Sequence, residues 1–238
     1  MLQRTKIRVA GVDGTRNGWA VVVEGISDPV VRRLPALANL FDDTPFDMVT
    51  VDIPIGLLDA YEVGGRACDR AARKLLGLRG SSIFAAPVRV VLDASSWEEG
   101  CKLSRASSRC GKAISKQTYN ILDKIREVDR LLQTRPELRR IVCEVHPEVS
   151  FCELVGKSMS HSKGNSAGRE ERRAALGRAF PQLDAIINRS RELRLPIEDF
   201  LDATVACWSA RRLAVGLGRS LPAAVPSDAT GLPVAIWV

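Results

Sequence analysis

The sequence predicts an α/β fold: a mixed sheet flanked by helices, with a helical, basic insertion between its strands. Three observations lead there. Short apolar runs separated by Gly, Asn, Asp and Pro turn signals fill the first 53 positions, the pattern of neighbouring strands. A further strand-like run, IVCEV, follows Arg140 and leads into helical periodicity. Between these regions, residues 60–138 carry helical stripes, loops and an excess of positive charge.

The elements follow in order. Residues 7–12 (IRVAGV) read as a buried strand that ends at Asp13-Gly14. A short turn containing Asn and Gly leads to a second strand over 19–24, which predicts a hairpin. Asp28-Pro29 marks another turn before a third antiparallel strand, Val30–Leu34. Leu37–Phe41 is expected as a short helix, and residues 46–53 as a fourth strand carrying Asp52. Within 60–138, Arg66, Arg70, Arg73 and Lys74 fall inside about 100° of a helical wheel, opposite an Ala/Leu face. Ile121, Leu122, Ile125, Val128 and Leu132 mark the core stripe of another helix. RRIVCEVHPEVSF then reads as a strand containing Glu144, a turn at His146-Pro147-Glu148 and a helix start. HSKGNSAG is a loop, 169–179 a helix, 197–217 the last long helix, and PVAIWV a closing strand. There is no internal repeat.

Composition narrows the function classes. At 238 residues, 45% hydrophobic and 26% charged, the chain has material for a sizeable core and none of the bias of a disordered protein. We expect a single domain over 1–238, with 60–138 as an insertion within it. No stretch approaches the roughly 18 apolar residues of a membrane span, and the apolar run in MLQRTKIRVAGVDG is too short for a signal peptide. A soluble cytoplasmic protein without a membrane partner is therefore expected. Six cysteines form no CxxC pair, which argues against finger-type zinc and for buried, reduced thiols. Two histidines are too few for a His-rich metal site. The net charge is +7, and residues 66–140 hold 17 Lys and Arg against 8 Asp and Glu, while the rest holds 18 against 20. All excess positive charge thus comes from the middle of the chain, as expected of a surface that meets nucleic-acid phosphates.

Four acids stand out. Asp13 lies between Gly11 and Gly14, glycines that let the backbone turn and a ligand approach closely. Asp52 stands in apolar company (MVTVDIPIGL), where a carboxylate is costly to bury unless it meets a cation or hydrogen-bond donors. Asp199 and Asp202, three apart, share one face at the start of a helix. Delivered from two strand tips and one helix, these carboxylates suit Mg²⁺ or Mn²⁺. Glu144 and Glu148 flank His146; either glutamate could complete a metal shell, and His146 could orient water or stabilise a leaving group. Cys143 and His146, three apart on a strand, face opposite ways and make a poor nucleophile–base pair. Arg79 and Ser81, within Arg79-Gly80-Ser81-Ser82, are candidate anion ligands, as are Lys163 and Arg169. GxxxxGK[ST] and GxGxxG are both absent.

The order of strand-Asp, hairpin, strand-Asp and a late DxxDA helix (DFLDA) resembles the RNase H-like superfamily, including RuvC-type resolvases. More closely, the chain resembles a bacterial family, domain of unknown function 429, described as predicted RNase H-like nucleases. The segments that carry this resemblance are GVDGTRNGW, VDIPIGL, GGRACDRAARKLLG, RGSSIFAAPVR, CEVHPEVSF, SKGNSAGREER and DFLDATVACW. The resemblance implies an RNase H-like mixed five-stranded sheet, strands one to three antiparallel and later ones parallel. It matches Asp13 to the first-strand aspartate, Asp52 to the fourth-strand acid, and Asp199 and Asp202 to the C-terminal pair. Two departures are that Thr15 stands where a cysteine is expected, and Glu198-Asp199 where Asp-Asp is expected.

The expected activity is hydrolysis of nucleic-acid phosphodiesters by a two-metal carboxylate mechanism, in which Asp13 bridges two ions and Asp52, Asp199 and Asp202 complete their shells. Arg66, Arg70, Arg73 and Lys74 would hold the backbone of the substrate. Two alternatives stay open. One is a phosphotransferase or ATPase related to sugar kinases and actin, which would need a second copy of the fold. The other is a non-catalytic nucleic-acid-binding module, against which four gathered carboxylates argue by repelling phosphate.

Overall fold

The computed structural model describes residues 7–25, 28–42, 45–108 and 111–238. The chain forms two units: Met1–Asp52, Arg140–Arg219 and Trp237–Val238 make the first, and Ile53–Arg139 with Ser220–Ile236 the second. The second unit thus takes in the expected insertion together with residues on either side of it and a returning C-terminal segment. The first six residues, and with them most of the basic amino terminus, lie outside the described residues.

In the first unit, valine-rich runs make β1 (Val9–Thr15), β2 (Gly18–Glu24) and β3 (Val30–Leu34) into an antiparallel meander. The tight β1–β2 turn is possible because Gly18 takes a φ of +125°, which side-chain-bearing residues rarely adopt. β4 (Met48–Val51) and β5 (Val142–Glu144) join parallel to β1, giving the order β3-β2-β1-β4-β5. This is the mixed five-stranded sheet expected, and it fits an RNase H-like fold. In chain order, the helices are α1 (Ala67–Leu76), α2 (Trp97–Ala106), α3 (Lys116–Asn120) and α4 (Leu122–Thr134) in the second unit. The first unit holds α5 (Pro147–Val155), α6 (Ser166–Ala179), α7 (Leu183–Glu192) and α8 (Ile197–Ala214).

α8 is the pillar of the first unit. Residues 200–210 are all buried, so the helix is enclosed on every side rather than amphipathic. Its core partners include Val9, Ala20 and Val22 of the sheet, Phe151 of α5, Leu176 of α6 and Ile187 of α7. Gly11 sets how closely helix and sheet approach. A Cβ there would lie 1.9 Å from the Cys207 nitrogen and 2.2 Å from the Ala203 carbonyl oxygen. The expectation that this glycine clears room for a ligand is corrected: it clears room for the α8 backbone. Thr50 of β4 adds an anchor, its hydroxyl donating to the Ala206 carbonyl at 2.7 Å.

Other differences are local. Leu37–Phe41 is 3₁₀-helical, β4 is shorter than expected, and Asp52 lies just past its end. α7 was not anticipated, although buried Leu183, Ile186, Ile187 and Ser190 recur at helical spacing. PVAIWV contains only a two-residue strand, Ile236–Trp237.

In the second unit, Leu122, Ile125, Val128 and Leu132 of α4 are buried as their spacing requires, and Val88, Val91, Cys101 and Ile114 pack around Leu122. Many of its arginines brace backbone. Arg126 donates to the Leu92 carbonyl at 2.6 Å and Arg139 to the Leu132 carbonyl at 2.7 Å. Asp228 draws the returning segment in, accepting from the Leu57 N–H at 2.9 Å and pairing with Arg89. Among the described residues no helix is long and apolar enough to cross a membrane.

Candidate metal centre

Register and helix geometry together dictate which acids meet. In the parallel β1–β4 pair, Gly11 lies beside Thr50 and Val12 beside Val51. Side chains alternate along a strand, so Asp13 and Asp52, two residues beyond Gly11 and Thr50, return to the same face. That face carries α8, because Gly11 abuts Ala203 and Cys207 while Thr50 bonds Ala206. Two strand residues advance about 6.6 Å and four helical residues about 6 Å. One turn back from Ala206 toward the helix N-terminus therefore brings Asp202 level with Asp13 and Asp52.

The structure bears this out. Asp13, Asp52 and Asp202 each offer a carboxylate oxygen, all within 4.8 Å of one another. Asp13 is 7% exposed and Asp202 only 1%. Asp199 stands one further turn out. It is half-buried and lies outside this tight set, although its charge reaches Asp13 and Asp52. The expected four-acid cluster is thus a set of three with a fourth charge beyond it.

Burial first, and then the charges of Asp52 and Asp202, hold the Asp13 carboxyl well above the usual carboxylate range. Asp52 is pushed up to about 8, by burial foremost, with Asp202, Glu144 and Asp199 adding and Lys163 opposing. Burial raises Asp199 to about 6. It raises Asp202 too, while Lys163 and Arg172 pull the other way. Lys163 is the cation of this group. Its ammonium donates to Asp202 Oδ2. Burial works against that charge, but Asp202, Asp52 and Asp13 outweigh it and hold the ammonium above its ordinary value.

The remaining sequence candidates divide. Glu144 is buried in register with Val51, so strand alternation turns it to the face opposite Asp52, and it stands outside the tight set. His146 caps α5, its Nδ1 accepting from the Glu148 N–H at 3.3 Å. Glu148 forms a buried ion pair with Arg172. Cys143 is buried and its thiol is pushed up to about 12 by that burial, which fits its exclusion as a nucleophile. Arg169 pairs with Glu198 at 3.0 Å, next to Asp199.

The basic ridge of α1 is a partial correction. Arg66 is 2% exposed, bound to Asp69 at 2.8 Å and to the carbonyls of Ile55 and Gly56, so its guanidinium is spent inside the unit. Arg73 braces the Ile83 carbonyl at 2.8 Å and the Gly64 carbonyl; Arg70 binds Glu62 and the Gly65 carbonyl. Lys74 and Ser81 are exposed, and Arg79 is half-buried. Much of the excess charge counted along the chain therefore serves as internal bracing.

One feature escaped the sequence reading, and a second was noted there without a role. Arg172, 1% exposed, holds the carbonyls of His161 at 3.1 Å and Gly168 at 2.8 Å, bracing the loop that carries Lys163. Thr15 lies two residues past Asp13 on the same face, with a buried hydroxyl that has no hydrogen-bond partner. A lone arginine in a charged helix gives no signal of burial, whereas Thr15 was marked by its place after Asp13.

The donor set suits a hard divalent cation: all oxygen, three carboxylates, and Asp202 Oδ1 buried without a hydrogen-bond partner. A family model described as "Protein of unknown function (DUF429)" matches residues 11–227 of the chain. Neither the curated proteins nor the solved structures contain a match to it.

Proposed function

The chain belongs to the DUF429 family, and we propose that it is a divalent-metal-dependent phosphodiesterase acting on nucleic acid, with Mg²⁺ or Mn²⁺ held by Asp13, Asp52 and Asp202. One observation carries this reading. Three carboxylates from separate elements converge within 4.8 Å, and one buried oxygen, Asp202 Oδ1, has no hydrogen-bond partner. Buried polar atoms are nearly always satisfied, and an unpaired carboxylate oxygen among gathered acids is the kind of atom a bound ion would satisfy. Gathered acids with raised affinity for protons are also what a cation site looks like when its buried carboxylates crowd one another and a single ammonium offsets them in part.

When bound, the metal would polarise a phosphoryl oxygen and make water acidic enough to attack near neutral pH. The chain's own groups do the rest. Asp13 and Asp52, at the ends of adjacent parallel strands, fix the position of the cation. Asp202 approaches from α8, whose distance from the sheet Gly11 and Thr50 determine. Lys163 offsets charge among the acids. Asp199 stands at the edge of the group, and Arg169, paired with its neighbour Glu198, would supply positive charge to a phosphodiester backbone.

The test is Mn²⁺ calorimetry on wild type and Asp13→Asn, followed by cleavage assays on labelled single-stranded, duplex, hybrid and branched oligonucleotides. Binding and cleavage should both be lost in a folded Asp13→Asn variant. Undiminished cleavage by that variant, or a wild type that binds no Mn²⁺ even beside an oligonucleotide, would overturn the proposal.

A further inference from the structure

Lys163 has two properties that bear on how many metal ions the carboxylate pocket takes. Its ammonium donates to Asp202 Oδ2, leaving Oδ1 of the same carboxylate buried and without a hydrogen-bond partner. Its charge also acts on Asp52 and Asp13. The side chain is 48% exposed, so a stem in contact with solvent delivers the charge to an acid that is itself 1% exposed.

The backbone that carries this lysine is held on both sides. Glu171 accepts from the N–H groups of Ser160 at 2.8 Å and His161 at 3.0 Å. Arg172 holds the carbonyls of His161 and Gly168, and is itself held by Glu148. Asn165 Oδ1 accepts from the Gly168 N–H at 2.7 Å, capping α6, and Arg169 donates to the Gly164 carbonyl at 3.2 Å. Gly168 has no space for a side chain, since a Cβ would lie 1.9 Å from the Ser162 carbonyl oxygen. A loop braced this way presents its lysine in one place, which is the property of a preorganised charge rather than of a wandering surface lysine.

Charge and ligand counts together favour one ion. The three carboxylates in tight contact carry three negative charges. One divalent ion and one ammonium balance them, whereas two divalent ions with the ammonium leave two positive charges in excess. With Asp199 counted as well, one ion leaves one negative charge and two ions leave one positive charge, and the ligand supply separates the cases. Burial makes such an imbalance costly. The ligands are also too few for two ions, since one oxygen of Asp202 is taken by Lys163 and Asp199 stands outside the tight set.

We infer that Lys163 takes the place of a second metal, so that the pocket binds one divalent cation beside a fixed ammonium. This departs from the two-metal arrangement expected from the sequence, and it rests on the metal-binding reading proposed above. Lys163 acts here as a positioning residue: it holds Asp202 so that Oδ1 is the ligand oxygen, and it supplies the charge that a second ion would bring.

The experiment combines Mn²⁺ calorimetry at low ionic strength with acetylation footprinting of lysines, read by mass spectrometry. Wild type should bind one Mn²⁺, lost in Asp13→Asn, and Lys163 should stay as protected from acetylation with Mn²⁺ as in EDTA. Lys163→Met, checked for its fold by circular dichroism, should take up a second Mn²⁺ at millimolar concentration. Two ions bound to wild type and both lost in Asp13→Asn would overturn the inference while leaving the metal-dependent function standing. So would an Mn²⁺-induced rise in Lys163 labelling of several-fold, or a Lys163→Met variant that holds a single ion up to about 10 mM. A wild type that binds no Mn²⁺ even beside an oligonucleotide would overturn both readings.

Discussion

If the carboxylates are gathered for a cation, removing one should stabilise the protein in EDTA. Asp52→Asn is the cleanest case. The unfolded chain ionises Asp52 near its ordinary value of 3.8, and the native protein near 8. The native state therefore binds this proton more tightly, and the group's contribution to stability falls as pH rises from about 4 to about 8. At pH 8, where the native group is half ionised, a displacement of this size corresponds to about 5 kcal/mol for an isolated group. Relaxation of the pocket, and water reaching the partly exposed Asp52, should reduce this to on the order of 2 kcal/mol. Asparagine keeps the shape and does not ionise. Urea unfolding in EDTA should thus show Asp52→Asn more stable than wild type by about 2 kcal/mol at pH 8, with the gap closing toward pH 4. Saturating Mg²⁺ or Mn²⁺ should reverse the order, since an ion at about 100 times its Kd adds about 2.7 kcal/mol to wild type alone. If Asp52→Asn is instead the less stable protein at pH 8 in EDTA, Asp52 is a structural acceptor and the argument fails.

Two further predictions concern the frame. Gly11→Ala should cost about 3 kcal/mol or more, because its methyl would collide with the α8 backbone at Cys207 and Ala203; a melting temperature within 2 °C of wild type would contradict the packing described. Glu148→Gln should cost about 3 kcal/mol by leaving the Arg172 charge buried without its carboxylate. Replacing both residues, as Glu148→Gln with Arg172→Met, should recover part of that loss in a double-mutant cycle; purely additive effects would show the pair to be uncoupled.

The strands and the acids at their tips were legible in the sequence because both are local. Alternation of valines and the turn residues at Asn17-Gly18 and Asp28-Pro29 act over a few positions, so the meander and the placement of Asp13 and Asp52 could be read directly. The DxxDA spacing likewise put Asp199 and Asp202 on one helical face. What the pattern could not decide was which of that pair reaches the strands, because this depends on where α8 crosses the sheet. Gly11 and Thr50 determine that crossing, and it selects Asp202. The arginines tell the same story: counted along the chain they predict a phosphate-binding ridge, but Arg66 and Arg73 meet the carbonyls of Ile55, Gly56, Gly64 and Ile83 only once the second unit has folded. Lys163 and Asp202 are 39 residues apart, and Glu148 and Arg172 are 24 apart. No local periodicity encodes such pairs. Order, polarity and the supply of acids belong to the sequence by itself, whereas the identity of the cation site and the lysine within it arise from long-range packing, where burial turns ordinary charges into a site.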